Sequence, residues 1–437
     1  MADEELFEVG VVVPGNEGGA GGTPRVQRPV RDQLEFVPSD LDSLLPDEHQ
    51  ARTVWSYVEK VDLAREYAAI RAVEGGVGRP PIAPEILLAL WLYATLDGVG
   101  SARTLAKLCE DHVAYRWLCG GVSVNYHTLA DFRSRAGALL DALLTDSVLR
   151  LRAAGAVTLN RVAHDGMRVR ASAGKGSFKR KDKLEQFREE ATAQVEALKQ
   201  ELEADPAACD KRRKAARERA VRERQERIEA ALNVYPQVKA ERKHDKDQAR
   251  ASTTDADARI MHMPDGGFRP AYNVQFTTDT GSQAIVGADV ISNGSDGGQL
   301  RPAVQQVQAR YGVTPPEALV DGGYAKREDI EQLATAQPPC TVYAPPPELK
   351  THDGRAIAPP ADESAAVKEW RERMKTAAAQ QIYKERASTA ECVNAQAHNR
   401  GLQQFVVRGL GKVRNVVLLF AVAHNIARMA ALLGAMG

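Results

Sequence analysis

Arg161-Val-Ala-His-Asp-Gly-Met-Arg-Val-Arg170 decides the fold of this chain, because it sets an acid, Asp165, behind a short apolar run and in front of a glycine. Ala318-Leu-Val-Asp-Gly-Gly-Tyr324 repeats the pattern with Asp321. Acids so placed are expected at or near the ends of buried strands, where open α/β sheets gather their ligands. An Asp-Gly pair is also a common turn. Asp321 is the stronger of the two, since it terminates an apolar strand and Gly322-Gly323 leaves room for backbone near a ligand. Between these stretches the period is that of strands: Ala258-Arg-Ile-Met-His-Met263, Arg269-Pro-Ala-Tyr-Asn-Val-Gln-Phe-Thr277 and Ala284-Ile-Val-Gly-Ala-Asp-Val-Ile291, with turn signals at Pro264-Asp-Gly-Gly267 and Asp279-Thr-Gly281. Helix and strand then alternate, with helices expected over 299–311 and 326–336 and strands over 317–321 and 340–344. His164 precedes Asp165 on a strand, so it faces the other way and reads as structural.

A third acid, Glu391, falls on a helix expected over 367–402. Tyr383, Ala387, Glu391, Asn394 and His398 share one stripe at helical spacing, with Arg386 beside it, while Glu385 points elsewhere. Three acids converging from two strands and a helix form an all-oxygen site suited to a hard cation such as Mg²⁺. A strand bearing an acid, an antiparallel ladder and then alternating helix and strand is the order of an RNase H-like α/β domain. That domain is assigned to residues 156–437.

Residues 177–250 interrupt it. They are dominated by Glu, Lys, Arg, Gln and Ala, with Leu184, Phe187, Ala191, Val195, Leu198 and Leu202 at spacings of three and four. This predicts an amphipathic helix, then a second one after the Asp205-Pro206 break, as an inserted helical hairpin. Residues 31–155 read as an all-helical domain. Pro84 opens one helix, Asp97-Gly-Val-Gly100 breaks it, Ser101 caps the next, and another begins near Asn125. A short helix, a glycine turn and a short helix fit either a helix-turn-helix, whose second helix can enter a major groove, or an ordinary helical bundle. Residues 1–30, rich in Gly and Pro, read as a flexible arm.

The 58 basic residues balance 58 acidic ones, so any affinity for phosphates must come from local basic faces such as Lys175–Lys183 and Lys211–Arg219. Five scattered cysteines without a CxxC pair indicate neither a zinc site nor a disulfide framework. The apolar run from Val416 reaches His424, Asn425 and Arg428 too soon for a bilayer span, and the start Met-Ala-Asp-Glu-Glu lacks the basic residues of a signal peptide. A cytoplasmic protein without a membrane partner is expected.

Four features together resemble a DDE transposase of a bacterial insertion sequence: Gly78-Arg-Pro-Pro81 with Phe132-Arg133, Ala271-Tyr-Asn-Val-Gln275, Asp321-Gly-Gly-Tyr324, and Tyr383-x-x-Arg386 leading to Glu391. The group in question carries Tyr-x-x-Arg and a following Glu on its last catalytic helix. This chain departs from the pattern in having His398 where Lys or Arg is usual seven residues after the Glu, and one extra residue between Arg386 and Glu391. The resemblance implies Asp165, Asp321 and Glu391 as catalytic metal ligands for two Mg²⁺ ions, with Mn²⁺ as a substitute. It implies cleavage of the element's ends and joining of the freed 3′-OH to target DNA, by a homodimer or higher oligomer on double-stranded DNA in the nucleoid. Tyr383, Arg386 and His398 are the implied DNA contacts, with Arg408 and Lys412 as candidates flanking the site. Two other functions share the fold: a nuclease or resolvase that stops at hydrolysis, and a DNA-binding protein whose catalytic centre has decayed.

Overall fold

The computed structural model describes residues 40–70, 80–204, 211–242, 245–347 and 362–434. The arm over 1–30, Gly78-Arg79, the Asp205-Pro206 break and Cys209 lie outside the described residues.

Among the described residues, seven α-helices come first: α1 (Gln50–Val58), α2 (Ala64–Ala68), α3 (Pro84–Leu96), α4 (Ala102–Asp111), α5 (Val113–Cys119), α6 (Tyr126–Arg135) and α7 (Gly137–Ala153). Their starts follow from local chemistry. Pro84 occupies the first turn of α3, where its missing N–H costs nothing. The Ser101 hydroxyl accepts from Thr104 N–H to open α4, and the Asn125 side chain accepts from Thr128 N–H to open α6. Helix α5 lies where the punctuation names no separate helix; His112 caps its start and Gly120, left-handed at φ 55°, ends it. Helix α3 is buried along nearly its whole length, from Leu87 to Leu96, whereas α4 keeps Arg103, Thr104 and Lys107 exposed.

The sheet starts with β1 (Arg161–Arg170). The chain then leaves through β2 (Phe178–Lys179), α8 (Lys181–Ala204) and α9 (Lys211–Glu241) and returns by β3 (Ala251–Ser252), which pairs with β2 at the base of the two helices. Leu184, Ala191 and Leu198 of α8 are buried, as are Ile228, Ala231 and Tyr235 of α9, so the spacing of apolar residues marks the contact face. The chain continues through β4 (Arg259–His262), β5 (Phe268–Asp279), β6 (Ile285–Ile291), α10 (Leu300–Tyr311), β7 (Glu317–Leu319), α11 (Arg327–Thr335) and β8 (Thr341–Tyr343). Strand β5 is antiparallel to β1 on one side and to β4 and β6 on the other; β1, β7 and β8 run parallel. The strand order is thus β6-β5-β1-β7-β8, with β4 pairing β5 along the same edge as β6.

The helix expected over 367–402 is broken. It comprises α12 (Ala365–Lys375), α13 (Ala377–Arg386), a π turn (Ala387–Glu391) and α14 (Cys392–Asn399). The break lies at Thr376, which is extended at ψ 143° and caps α13 by accepting from Ala379 N–H. A final helix, α15 (Leu410–Gly434), is long and apolar enough to pass for a membrane span, but it packs on α3, α7 and β6. Its polar residues bond inside the fold: Asn425 bonds both the N–H and the C=O of Ile285, and His424 Nε2 meets the Gln283 carbonyl at 2.8 Å. One continuous hydrophobic cluster joins α1, α3 to α7, the Tyr272, Val274 and Phe276 face of β5, and α15. A second lies among α10, α11, α12 and the parallel strands.

Candidate active site

Asp165 sits in the middle of β1, not near its end as its Asp-Gly context suggests. Gly166 is there for another reason. A Cβ on it would lie 2.4 Å from Gln275 Nε2, 2.7 Å from the Tyr324 hydroxyl and 2.8 Å from Asn273 Oδ1. Only glycine lets those three side chains close over the strand. They form a network: Tyr324 donates to Gln275 Oε1 at 2.7 Å, while Asn273 and Gln275 both donate to Asp296 Oδ1, at 2.6 and 3.2 Å. Arg168 lies 3.7 Å from the other oxygen of Asp296. The motif residues Asn273, Gln275 and Tyr324 therefore tie the loop that carries Asp321 to the centre of the sheet. His164 belongs to this side; it is buried, meets the Thr277 hydroxyl at 2.9 Å and stacks edge-on against Tyr324. Burial pushes its imidazole down to about 4.

Asp165 projects to the opposite face. Parallel register pairs Ala163 of β1 with Leu319 of β7, so Asp165 and Asp321 each lie two residues beyond that pair, on neighbouring strand paths. Asp321 is fixed by its own loop, with Gly323 N–H donating to its Oδ1 at 2.6 Å. From the helix side, Arg386 joins the other two acids: its Nη1 is 3.1 Å from Asp165 Oδ2 and its Nη2 is 2.7 Å from Glu391 Oε1. Asn394 also donates to Asp165 Oδ2, at 3.3 Å. The π turn makes this possible. Arg386 and Glu391 are five residues apart, which a π turn brings onto one face and a regular α-helix does not. The extra residue read in the sequence is thus absorbed locally.

The electrostatics are those of a crowded acid site. Burial raises the Asp165 carboxyl and the Asp321 charge raises it further, while Arg386 and the Gly166 N–H act in the opposite direction. Asp165 and Arg386 are sunk in the fold at 17% and 14% exposure, but Glu391 is 54% exposed. Glu385, the competing acid, is held by Arg161, which is shared with Glu317. Among the described residues no three His, Cys, Asp or Glu side chains stand close enough to share a metal ion. The acids are therefore not closed on one another, because a guanidinium stands between two of them. That arrangement fits a cation site: oxygen donors of the kind hard divalent ions take, already holding a positive group.

Two stretches match family models: residues 39–135 match a transposase domain (DUF772), and residues 335–430 match a transposase DDE domain. Together these matches support a DDE transposase of an insertion sequence. No curated protein and no solved structure matches it. The second match takes in Tyr383, Arg386, Glu391, His398, Arg408 and Lys412, whereas Asp165 and Asp321 fall between the two matches.

Within the transposase, the residues expected to meet DNA differ in setting. Tyr383 lies beside Arg386, whose guanidinium carbon is 5.9 Å from the ring centroid. His398 is exposed on α14, and Lys412 is exposed at the start of α15. Arg408 donates to the Ser172 carbonyl at 3.1 Å. Arg133 of the Phe132-Arg133 motif is buried: it donates to the Gly100 carbonyl at 2.6 Å and lies over the Trp91 ring at 4.1 Å. Burial pulls it down to about 10. It holds the α3–α4 turn. Sequence reasoning also missed Asn394 as a partner of Asp165, and Asp296; only the alternation of Asn273 and Gln275 on one strand face pointed towards the latter.

Proposed function

We propose that this transposase binds the ends of its insertion sequence, cleaves them by metal-dependent phosphodiester hydrolysis and joins the freed 3′-OH ends to target DNA. Asp165, Asp321 and Glu391 are the catalytic residues and cation ligands. The observation that carries the reading is the Arg386 bridge, which draws a strand acid and a helix acid to one cationic group beside the path of Asp321. The strand order β6-β5-β1-β7-β8, antiparallel then parallel about β1, supports an RNase H-like catalytic domain over 156–437 with the α8–α9 pair inserted. Two Mg²⁺ ions, or Mn²⁺ in their place, would supply Lewis acidity at the scissile phosphate.

The protein's own contributions follow from position. Asp165 and Asp321 are rigid, one within a strand and the other locked by the Gly323 N–H, and so fix the site in the sheet. Glu391, on the more exposed helix, completes the site from outside. Arg386, Tyr383, His398, Arg408 and Lys412 contact DNA. Residues 31–155 recognise the element's ends, with α4 presenting Arg103, Thr104 and Lys107. The enzyme acts in the bacterial cytoplasm as a dimer or higher oligomer on DNA, since two ends must be processed together. Strand transfer is tested by supplying a duplex end with a pre-formed 3′-OH, a plasmid target and Mg²⁺. Joined product is the expected result, and hydrolysis without joining would make the protein a nuclease.

A further inference from the structure

Arg386 occupies a position from which a single group reaches both Asp165 and Glu391, with a charge-assisted hydrogen bond to each. It lies below Glu391, being 14% exposed against 54% for the acid. Asn394 supports the same Asp165 oxygen. A divalent cation that takes the lone pairs now accepting from Arg386 displaces the guanidinium, because an N–H proton and a metal cannot use the same lone pair. The neighbouring Tyr383 ring gives Arg386 a face to rest on when it moves. Resting on the cation-site reading above, we propose that Arg386 is an internal counter-cation: it holds the two acids in place while the protein is free of DNA, keeps divalent cations out, and exchanges onto a DNA phosphate as they enter. It is a positioning residue in this role. Both ligands favour the same displaced arginine, so phosphate binding and cation binding reinforce each other.

The test is a Mn²⁺ titration of the DNA-free, full-length protein, read by the loss of the free-ion electron paramagnetic resonance signal. The variants are Arg386→Lys, Arg386→Gln, Lys384→Gln and Asp321→Asn. Lys keeps the charge but cannot fork between two carboxylates. Arg386→Lys should therefore bind Mn²⁺ about tenfold tighter than the parent, the worth of roughly one charge-assisted hydrogen bond. Arg386→Gln should bind at least as tightly as Arg386→Lys, and Lys384→Gln, exposed on the same helix, should bind as the parent does. Equal or weaker Mn²⁺ binding by Arg386→Lys overturns the proposal, and that arm decides alone if Arg386→Gln fails to fold. Asp321→Asn separates the two ideas: unchanged Mn²⁺ binding in that variant defeats the carboxylate site itself, whereas lost binding with an unaltered Arg386→Lys defeats only the counter-cation.

Discussion

His164 and His424 are held neutral inside the protein, each pushed down by burial to about 4. An unfolded chain protonates both near the ordinary histidine value of about 6.5. Between those values the unfolded state carries more protons than the folded one, so stability is full above pH 6.5 and lost as pH falls towards 4. The loss is roughly 3 kcal/mol per histidine at most, since each tenfold weakening of proton affinity on folding is worth about 1.4 kcal/mol. Urea unfolding at pH 7, 5 and 4 should show this fall, and His424→Gln should make it shallower; a variant with the parent's slope would place the effect elsewhere. At this scale the sequence was most legible where a residue's chemistry is unusual for its setting. Asp165, Asp321 and Glu391 stand out in the sequence because acids beside apolar strands or on a polar helix stripe demand a partner, and the fold joins Asp165 to Glu391 through Arg386. Arg386 reads in the sequence only as a DNA contact, and its place between Asp165 and Glu391 comes from the fold, since an arginine's place among carboxylates, aromatic rings or phosphates depends on what the fold brings near it.

Most elements were legible from period and punctuation, including the α8–α9 pair and the strands β4 to β6, because apolar spacing and turn residues are local signals. The break at Thr376 and the π turn were not. Thr376 stands in a stretch that otherwise favours helix, with no Gly or Pro beside it to mark the end of α12. The π turn is visible in sequence only as one residue too many between Arg386 and Glu391. Its carbonyl at Ser388 is satisfied by Gln283 at 2.8 Å, so the wider turn is supported by the fold. Deleting Ser388 should turn the segment into a regular α-helix with Arg386 and Glu391 four residues apart, still on one face. Cation-dependent cleavage should stay within roughly tenfold of the parent, about 1.4 kcal/mol in barrier. Inserting an alanine after Ser388 should abolish it by turning Glu391 away. Abolition by the deletion and tolerance of the insertion would contradict this account of the turn.

Among the described residues the N-terminal helices and the sheet share a core, and α15 joins them alongside α7. Asn415 of α15 donates to the carbonyls of Arg133 and Ser134 at the end of α6, and Phe420 lies 5.6 Å from Phe276 of β5. This was not legible in a sequence whose composition simply changes near residue 155, because apolar residues of a helix do not declare which partner covers them. A fragment of residues 31–155 lacks α15 and should give a broad thermal transition by circular dichroism, while the full chain unfolds cooperatively. A sharp transition in the fragment would show that its core is self-sufficient. The proposed function rests on acids from the centre of the sheet, a neighbouring loop and the helix that returns from the far end of the chain. The most direct measurement is cleavage of a duplex carrying the inverted ends that flank the reading frame, in Mg²⁺ and in Mn²⁺, by Asp165→Asn, Asp321→Asn and Glu391→Gln, with end binding measured in parallel. Each substitution should abolish cleavage with either ion and leave end binding within a few-fold of the parent; substantial cleavage by Asp321→Asn would contradict the account.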